Sequence, residues 1–152
     1  MYMLKINLRI LLFLVFFFQL PLTYGEEIFL SLKKNKVNVR YGPSLDFPIK
    51  YIYRKINLPI KQIDKKENWR RIIDIKNNSG WIHWSQLKKI NSVITLKEKT
   101  LFKKPSLFSK PIAKIKKGRL LVVQKCDGNW CKIKSEKFKG WIKIDNIWGS
   151  IN

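Results

Sequence analysis

The sequence predicts an all-β chain: two small β-barrels in tandem behind an N-terminal signal peptide. Three observations lead there. Gly-Trp-Ile is written twice, at 80–82 and at 140–142, each time about ten residues after an Asn-Trp pair, Asn68-Trp69 and Asn129-Trp130. The apolar residues fall in short runs rich in Ile, Val, Trp and Tyr, not at helical spacing. Those runs are broken at short intervals by Gly, Pro, Asn and Ser, residues that favour turns.

The first segment in chain order lies outside the fold. Residues 1–9 carry Lys5 and Arg9 and no acid, ILLFLVFFFQL follows as an apolar block, and PLTYG adds Pro21 as a breaker with Thr23 and Gly25 behind it. That is the layout of a secretory signal peptide, with cleavage expected after Gly25. An uncleaved anchor is the alternative. A spanning helix needs about 18 or more apolar residues, and Ile10–Leu22 is shorter than that. No later stretch is long and apolar enough to span a membrane. The expected divisions are a signal peptide at 1–25, a first barrel at 26–90 and a second at 91–152.

Aligning the two Gly-Trp-Ile sites brings further pairs into line. Asn68-Trp69 meets Asn129-Trp130 at an offset of 61, Pro43-Ser44-Leu45 meets Pro105-Ser106-Leu107 at 62, and Pro48-Ile49 meets Pro111-Ile112 at 63. Drift by single residues is what a duplicated unit shows when its loops gain or lose one. In the first unit strands are expected near Lys36–Arg40, Tyr51–Lys55, Leu58–Asp64, Trp69–Ile75 and Gly80–His83. In the second they are expected near Lys99–Phe102, Ile112–Ile115, Arg119–Lys125, Trp130–Lys134 and Gly140–Ile144. Five short strands in about 60 residues suit a strongly bent barrel, whose closure protects its edges. A unit of that size is marginal alone, so packing two together would help.

Alternation along a strand assigns the faces. Cys131 and Ile133 share one side and Trp130, Lys132 and Lys134 the other; Ile142 and Ile144 oppose Trp141 and Lys143. The aliphatic side chains are expected inside, with the tryptophans on the outer or rim side. Ile72 and Ile73 are both apolar, so the first unit repeats this pattern less cleanly, and a bulge at the start of that strand would change its parity. Gly is expected to open the Gly-Trp-Ile strand because the backbone bends tightly there, Ile to fill the barrel and Trp to cover its rim.

The chain has 32 basic and 10 acidic residues, a formal net charge of +22; two of the basic residues lie in the first 25, and the remaining charge is spread evenly over the two units. Such a balance favours encounter with anionic partners: nucleic acid, acidic lipid or the acidic polymers of a cell envelope. Lys, Ile and Asn are over-used together, however, as in genomes poor in G and C, so many lysines are read as solvated strand faces. Export and the lack of a concentrated basic stripe argue against nucleic acid. The two cysteines, Cys126 and Cys131, flank Asp127-Gly128 in an exported chain, which suggests a disulfide across a hairpin. Their spacing is wrong for a CxxC redox pair, and no further ligands gather for a metal.

These features resemble the bacterial SH3-like (Src-homology-3) domain family of exported proteins. Val37-Asn38-Val39-Arg40-Tyr41-Gly42-Pro43-Ser44 matches the family's opening strand and long loop. Leu58-Pro59-Ile60, Trp69 and Gly80-Trp81-Ile82 through Leu87 match its later strands. GWIHWSQL also looks like the end of a eukaryotic SH3 domain. The second unit keeps Pro105-Ser106 and Gly140-Trp141-Ile142 but departs at Thr100-Leu101-Phe102-Lys103-Lys104, which weakens any ligand role for its long loop. The resemblance implies two SH3-like barrels, a fold that hosts many tasks, and a family role as targeting modules beside cell-wall hydrolases. It also implies a peptide groove between the long loop and the loop before the tryptophan strand. The residues placed to line that groove are Tyr41, Asp46, Trp69 and Trp84, with Arg40 at the edge. The competing reading is that Trp69 and Trp84 only cover the barrel, and that Arg40 braces the loop.

Catalysis is not expected. His83 is the only histidine, so any Ser-His or Cys-His system would rest on it alone; its counterpart in the repeat is Lys143. The carboxylates are scattered among lysines and there is no phosphate-cradling loop. No cofactor or metal is expected. The function expected is a non-catalytic exported module of the periplasm or cell envelope that binds peptidoglycan or an extended peptide. The alternative is a scaffold that docks on another envelope protein and takes no small ligand.

Overall fold

The computed structural model describes residues 27–135 and 137–150, so the segment read as a signal peptide lies outside the described residues. The first set of strands is β1 (Phe29–Leu32), β2 (Val37–Arg40), β3 (Ile49–Tyr53), β4 (Pro59–Lys66), β5 (Trp69–Ile73), β6 (Ser79–His83) and β7 (Leu87–Lys89), with a 3-10 turn at Trp84–Gln86 before β7. The second is β8 (Ser92–Thr95), β9 (Lys99–Phe102), β10 (Pro111–Ile115), β11 (Leu120–Asp127), β12 (Trp130–Lys134), β13 (Lys139–Lys143) and β14 (Ile147–Trp148). The first sheet runs β3-β2-β6-β5-β4-β1-β7 and the second β10-β9-β13-β12-β11-β8-β14. Shifting every label in the first order by seven gives the second, so the duplication holds at the level of topology.

Each sheet closes on its own core. Leu32, Val37, Val39, Ile60, Ile72, Ile82 and Leu87 form the first, and Val93, Leu101, Leu121, Ile133 and Ile142 the second. Ile82 and Ile142, the paired isoleucines of the repeated motif, therefore fill different interiors. The chain is two tandem β-barrel units, as the repeat predicts.

Four details differ from expectation. Each sheet has seven strands, because β1, β7, β8 and β14 join the five expected in each unit. Pro111 stands where Ile49 stands, not where Pro48 does, since Phe102 faces Pro111 as Arg40 faces Ile49. No bulge falls at the start of β5, so its parity is unchanged. Its register with β6 is unbroken, and the extra residue sits in the facing strand, Ile63 in β4 and its counterpart Gln124 in β11. Finally, Gly80 and Gly140 do not have positive φ; they serve close approach between strands, not a bend.

The two cores are not chemically identical. Where the first barrel has Val37, the second has Lys99, which is also buried. Its ammonium reaches the backbone oxygen of Asp145 and, at 2.6 Å, Asp145 Oδ1. The hydrogen bond from Lys99 is the main cause holding the Asp145 carboxyl below its usual range. A depressed carboxylate stabilises the fold above its unfolded pKa and loses that contribution as pH falls through the folded value. Asp145→Asn is therefore expected to lower the urea midpoint at pH 6, with a deficit that shrinks as pH falls below the usual carboxylate range; a deficit that does not change with pH would refute the pairing.

In the first unit Asp74 organises the turn before β6. It accepts from Lys76 N at 2.8 Å, Asn78 N at 2.9 Å, Asn78 Nδ2 at 3.0 Å and the Tyr53 hydroxyl at 3.0 Å. Burial, with Tyr51 and Asp74 adding to it, pushes the Tyr53 phenol far above its ordinary pKa, so it remains a donor.

The units meet along a small seam. Ser31 Oγ and Ser92 Oγ are 2.9 Å apart, and Ser92 Oγ donates to Asn57 O. Trp148 lies edge-to-face on Phe29 with centroids 5.2 Å apart, and its Nε1 donates to Pro59 O at 3.2 Å.

Candidate binding site

The long loop of the first barrel is braced from within. Arg40 Nη1 donates to Leu45 O at 3.1 Å and to Phe47 O at 2.6 Å, so its guanidinium satisfies carbonyls that no strand pairs. Tyr41 N donates to Pro48 O at 3.2 Å across the loop's base. A Cβ on Gly42 would lie 2.5 Å from the Phe47 ring, so the ring seats directly on the glycine. Ser44 Oγ donates to Asp46 Oδ2 at 2.6 Å and accepts from Asp46 N at 3.1 Å. With its polar groups turned to its own backbone, the loop shows solvent its apolar ones: Tyr41 is 61% exposed and Leu45 72%. Lys50 Nζ lies 5.5 Å from the centre of the Tyr41 ring and donates to Ser79 O at 2.9 Å.

Trp69 and Trp84 belong to the other end of β6. Trp69 is 7% exposed, with its ring edge-to-face to His83 at 5.3 Å. His83 Nδ1 lies 2.8 Å from Ser85 Oγ and accepts from Ser85 N, which starts the 3-10 turn. Trp84 N then donates to Asn68 O at 2.8 Å and ties that turn to the β4–β5 hairpin, leaving the Trp84 ring 54% exposed. The structure thus brings Arg40, Tyr41 and Asp46 together in one loop and Trp69 with Trp84 in another place. Trp81 and His83, on the outer face of β6, lie between the two groups. Trp81 sits opposite Arg40 on one side and Arg71 on the other. By sequence Trp81 reads as rim cover and His83 as a surface residue without a role; the signal that both share the face of Trp69 lies in the alternation of β6.

The second barrel handles its outer face differently. Phe102 takes the place of Arg40, so no guanidinium braces its loop, and Phe108 at the tip is fully exposed. Trp141 is only 9% exposed, with Lys125 Nζ and Lys132 Nζ each 5.7 Å from its ring centre. Trp130 packs edge-to-face on Phe102 at 5.7 Å. Cys126 and Cys131 stand directly opposite in β11 and β12 and are joined by a disulfide. Gly128, at φ +51°, makes the turn between them.

No curated protein matches the chain in sequence. Among solved structures it is similar to NlpC2 from Trichomonas vaginalis, at 15% identity and a TM-score of 0.38, over 84% of this chain and 50% of that one. It is similar also to NlpC1 from Trichomonas vaginalis, at 14% identity and a TM-score of 0.37, over 84% and 48%. The chain spans about half the length of these two structures. The family model described as bacterial SH3 domain matches it twice, at residues 33–89 and 97–149. With one match on each barrel, the chain belongs to the bacterial SH3 domain family and carries two copies in tandem.

Proposed function

We propose that the protein is a non-catalytic exported module of the cell envelope, which recognises peptidoglycan or an extended peptide through the outer face of its first barrel. The observation that carries this reading is the braced loop that holds Tyr41 and Leu45 out to solvent, on the same barrel as an exposed Trp84. Exposed apolar side chains on a rigid support mark a contact surface, and fixing them before binding lowers the ordering cost. In this proposal Tyr41 and Trp84 touch the ligand, Trp69 backs the surface from beneath His83, and Arg40 and Asp46 keep the loop in shape. Bacterial SH3 domains are generally binding modules, often of cell-wall material, and a disulfide is consistent with an oxidising compartment.

The protein is expected to sediment with isolated sacculi at physiological salt. Tyr41→Ala and Trp84→Ala are each expected to weaken that binding about tenfold or more, the scale of an aromatic hot spot. Leu107→Ala, on the unbraced loop of the second barrel, is the control and should bind as the parent does. Binding that vanishes as salt rises to about 0.5 M, and ignores both aromatic substitutions, is bare charge attraction and would overturn the proposal.

A further inference from the structure

The two barrels differ most where each sheet ends. In the first, Tyr51 and Tyr53 of β3 pack edge-to-face at 5.2 Å against the core, and Asp74 anchors the Tyr53 hydroxyl. The matching positions in the second barrel hold Ala113 and Ile115, and Ser135 replaces Asp74. With both phenol rings gone, a cavity of about 1000 Å³ opens between β10 and β11.

Its lining has two informative features. Residues 113–116 and 119–122 line it consecutively. A strand face presents only every second residue, so the cavity looks between strand edges. β10 ends its sheet, so one row of its backbone N–H and C=O groups has no strand partner. The second feature is charge. Leu121 and Ile133 reach the floor from the core, whereas the ionisable lining residues among those described are all basic: Lys114, Lys116, Arg119, Lys134 and Lys137. Among the described residues an ion pair offsets one of them, Glu98 at 3.3 Å from Lys114.

We infer that this gap is a second binding slot, which takes an extended acidic peptide by adding it as a strand to β10. Strand addition satisfies the free backbone row and sets alternate side chains on opposite sides. Apolar residues of the peptide then face Leu121 and Ile133, and its carboxylates meet the basic rims. An anionic acyl chain fits less well: it brings one charge, where this slot carries cations along both walls, and it leaves the β10 edge unpaired. The slot is separate from the surface around Tyr41 and Trp84 and does not depend on it.

The test is fluorescence polarisation of a labelled octapeptide alternating Glu and Val, added to the whole protein at physiological salt. Saturable binding is expected, with little from the same peptide carrying Lys for Glu. N-methylation of alternate peptide bonds should weaken binding at least tenfold. Transplanting the plug of the first barrel, Ala113→Tyr with Ile115→Tyr and Ser135→Asp, should abolish it, whereas Trp84→Ala should leave it intact. Should the plugged protein fail to fold, Lys116→Glu with Lys134→Glu, both exposed, decides the matter by an expected loss of at least tenfold. No binding by the Glu-Val peptide, or binding indifferent to both sets of substitutions, overturns the inference. So does an N-methylated peptide that binds as well as the parent, or one that laurate displaces from this cavity.

Discussion

Replacing Gly140 by alanine is expected to destabilise the second barrel by about 2–3 kcal/mol, the upper part of the range for overpacked cores. The glycine's backbone is ordinary and the obstacle is distance. A Cβ there would stand 2.7 Å from Phe102 O and 2.9 Å from Leu101 Cγ, because β13 crosses β9 at this point to close the barrel. The carbonyl is main chain, and Leu101 is fully buried beside Ile142, so neither yields without moving a strand. Gly80→Ala meets the same obstacle in the first barrel, where Val39 Cγ1 would be 2.4 Å away and Arg40 O 3.0 Å. There the nearest atom is a side-chain methyl, so the smaller of the two losses is expected. Urea titration of each single variant measures both. Either variant within about 0.5 kcal/mol of the parent, the ordinary range for a surface change, would refute close approach as the reason Gly-Trp-Ile is written twice.

That motif also shows how far the sequence could be read. The duplication, the two interiors and the direction of Ile82 and Ile142 were legible, since a period of about 60 residues and a period of two both survive without coordinates. Strands without alternation were not. Ser92–Thr95 is buried on both faces, and Leu87–Lys89 is only three residues long; neither offers a periodic signal. The bulges at Ile63 and Gln124 carry no Gly or Pro to announce them. In the candidate site, alternation placed Trp141 on the outer face and the resemblance placed Trp69 at the groove, but neither could say what lies over them. His83 covers the first, and the long side chains of Lys125 and Lys132 reach over the second. Fold follows from local pattern, whereas exposure at a site depends on neighbours brought in from other strands.

Trp148→Ala is expected to divide the unfolding of the protein into two transitions. A barrel of about 60 residues is marginal by itself, and the seam supplies what each core lacks. Trp148 gives that seam its edge-to-face contact with Phe29 and its hydrogen bond to Pro59 O. The aromatic pair contributes about 1 kcal/mol and the hydrogen bond about another, before any apolar burial. What remains is chiefly the Ser31–Ser92–Asn57 chain of hydrogen bonds, whose polar groups find partners in water once the units part. With the seam intact, Gly140→Ala should therefore speed native-state hydrogen exchange at Ile82 as well as at Ile142. With Trp148→Ala added, its effect should be confined to Ile142. A single transition in the Trp148→Ala protein, with exchange at Ile82 still responding to Gly140→Ala, would mean that the coupling runs through the serines and not the indole.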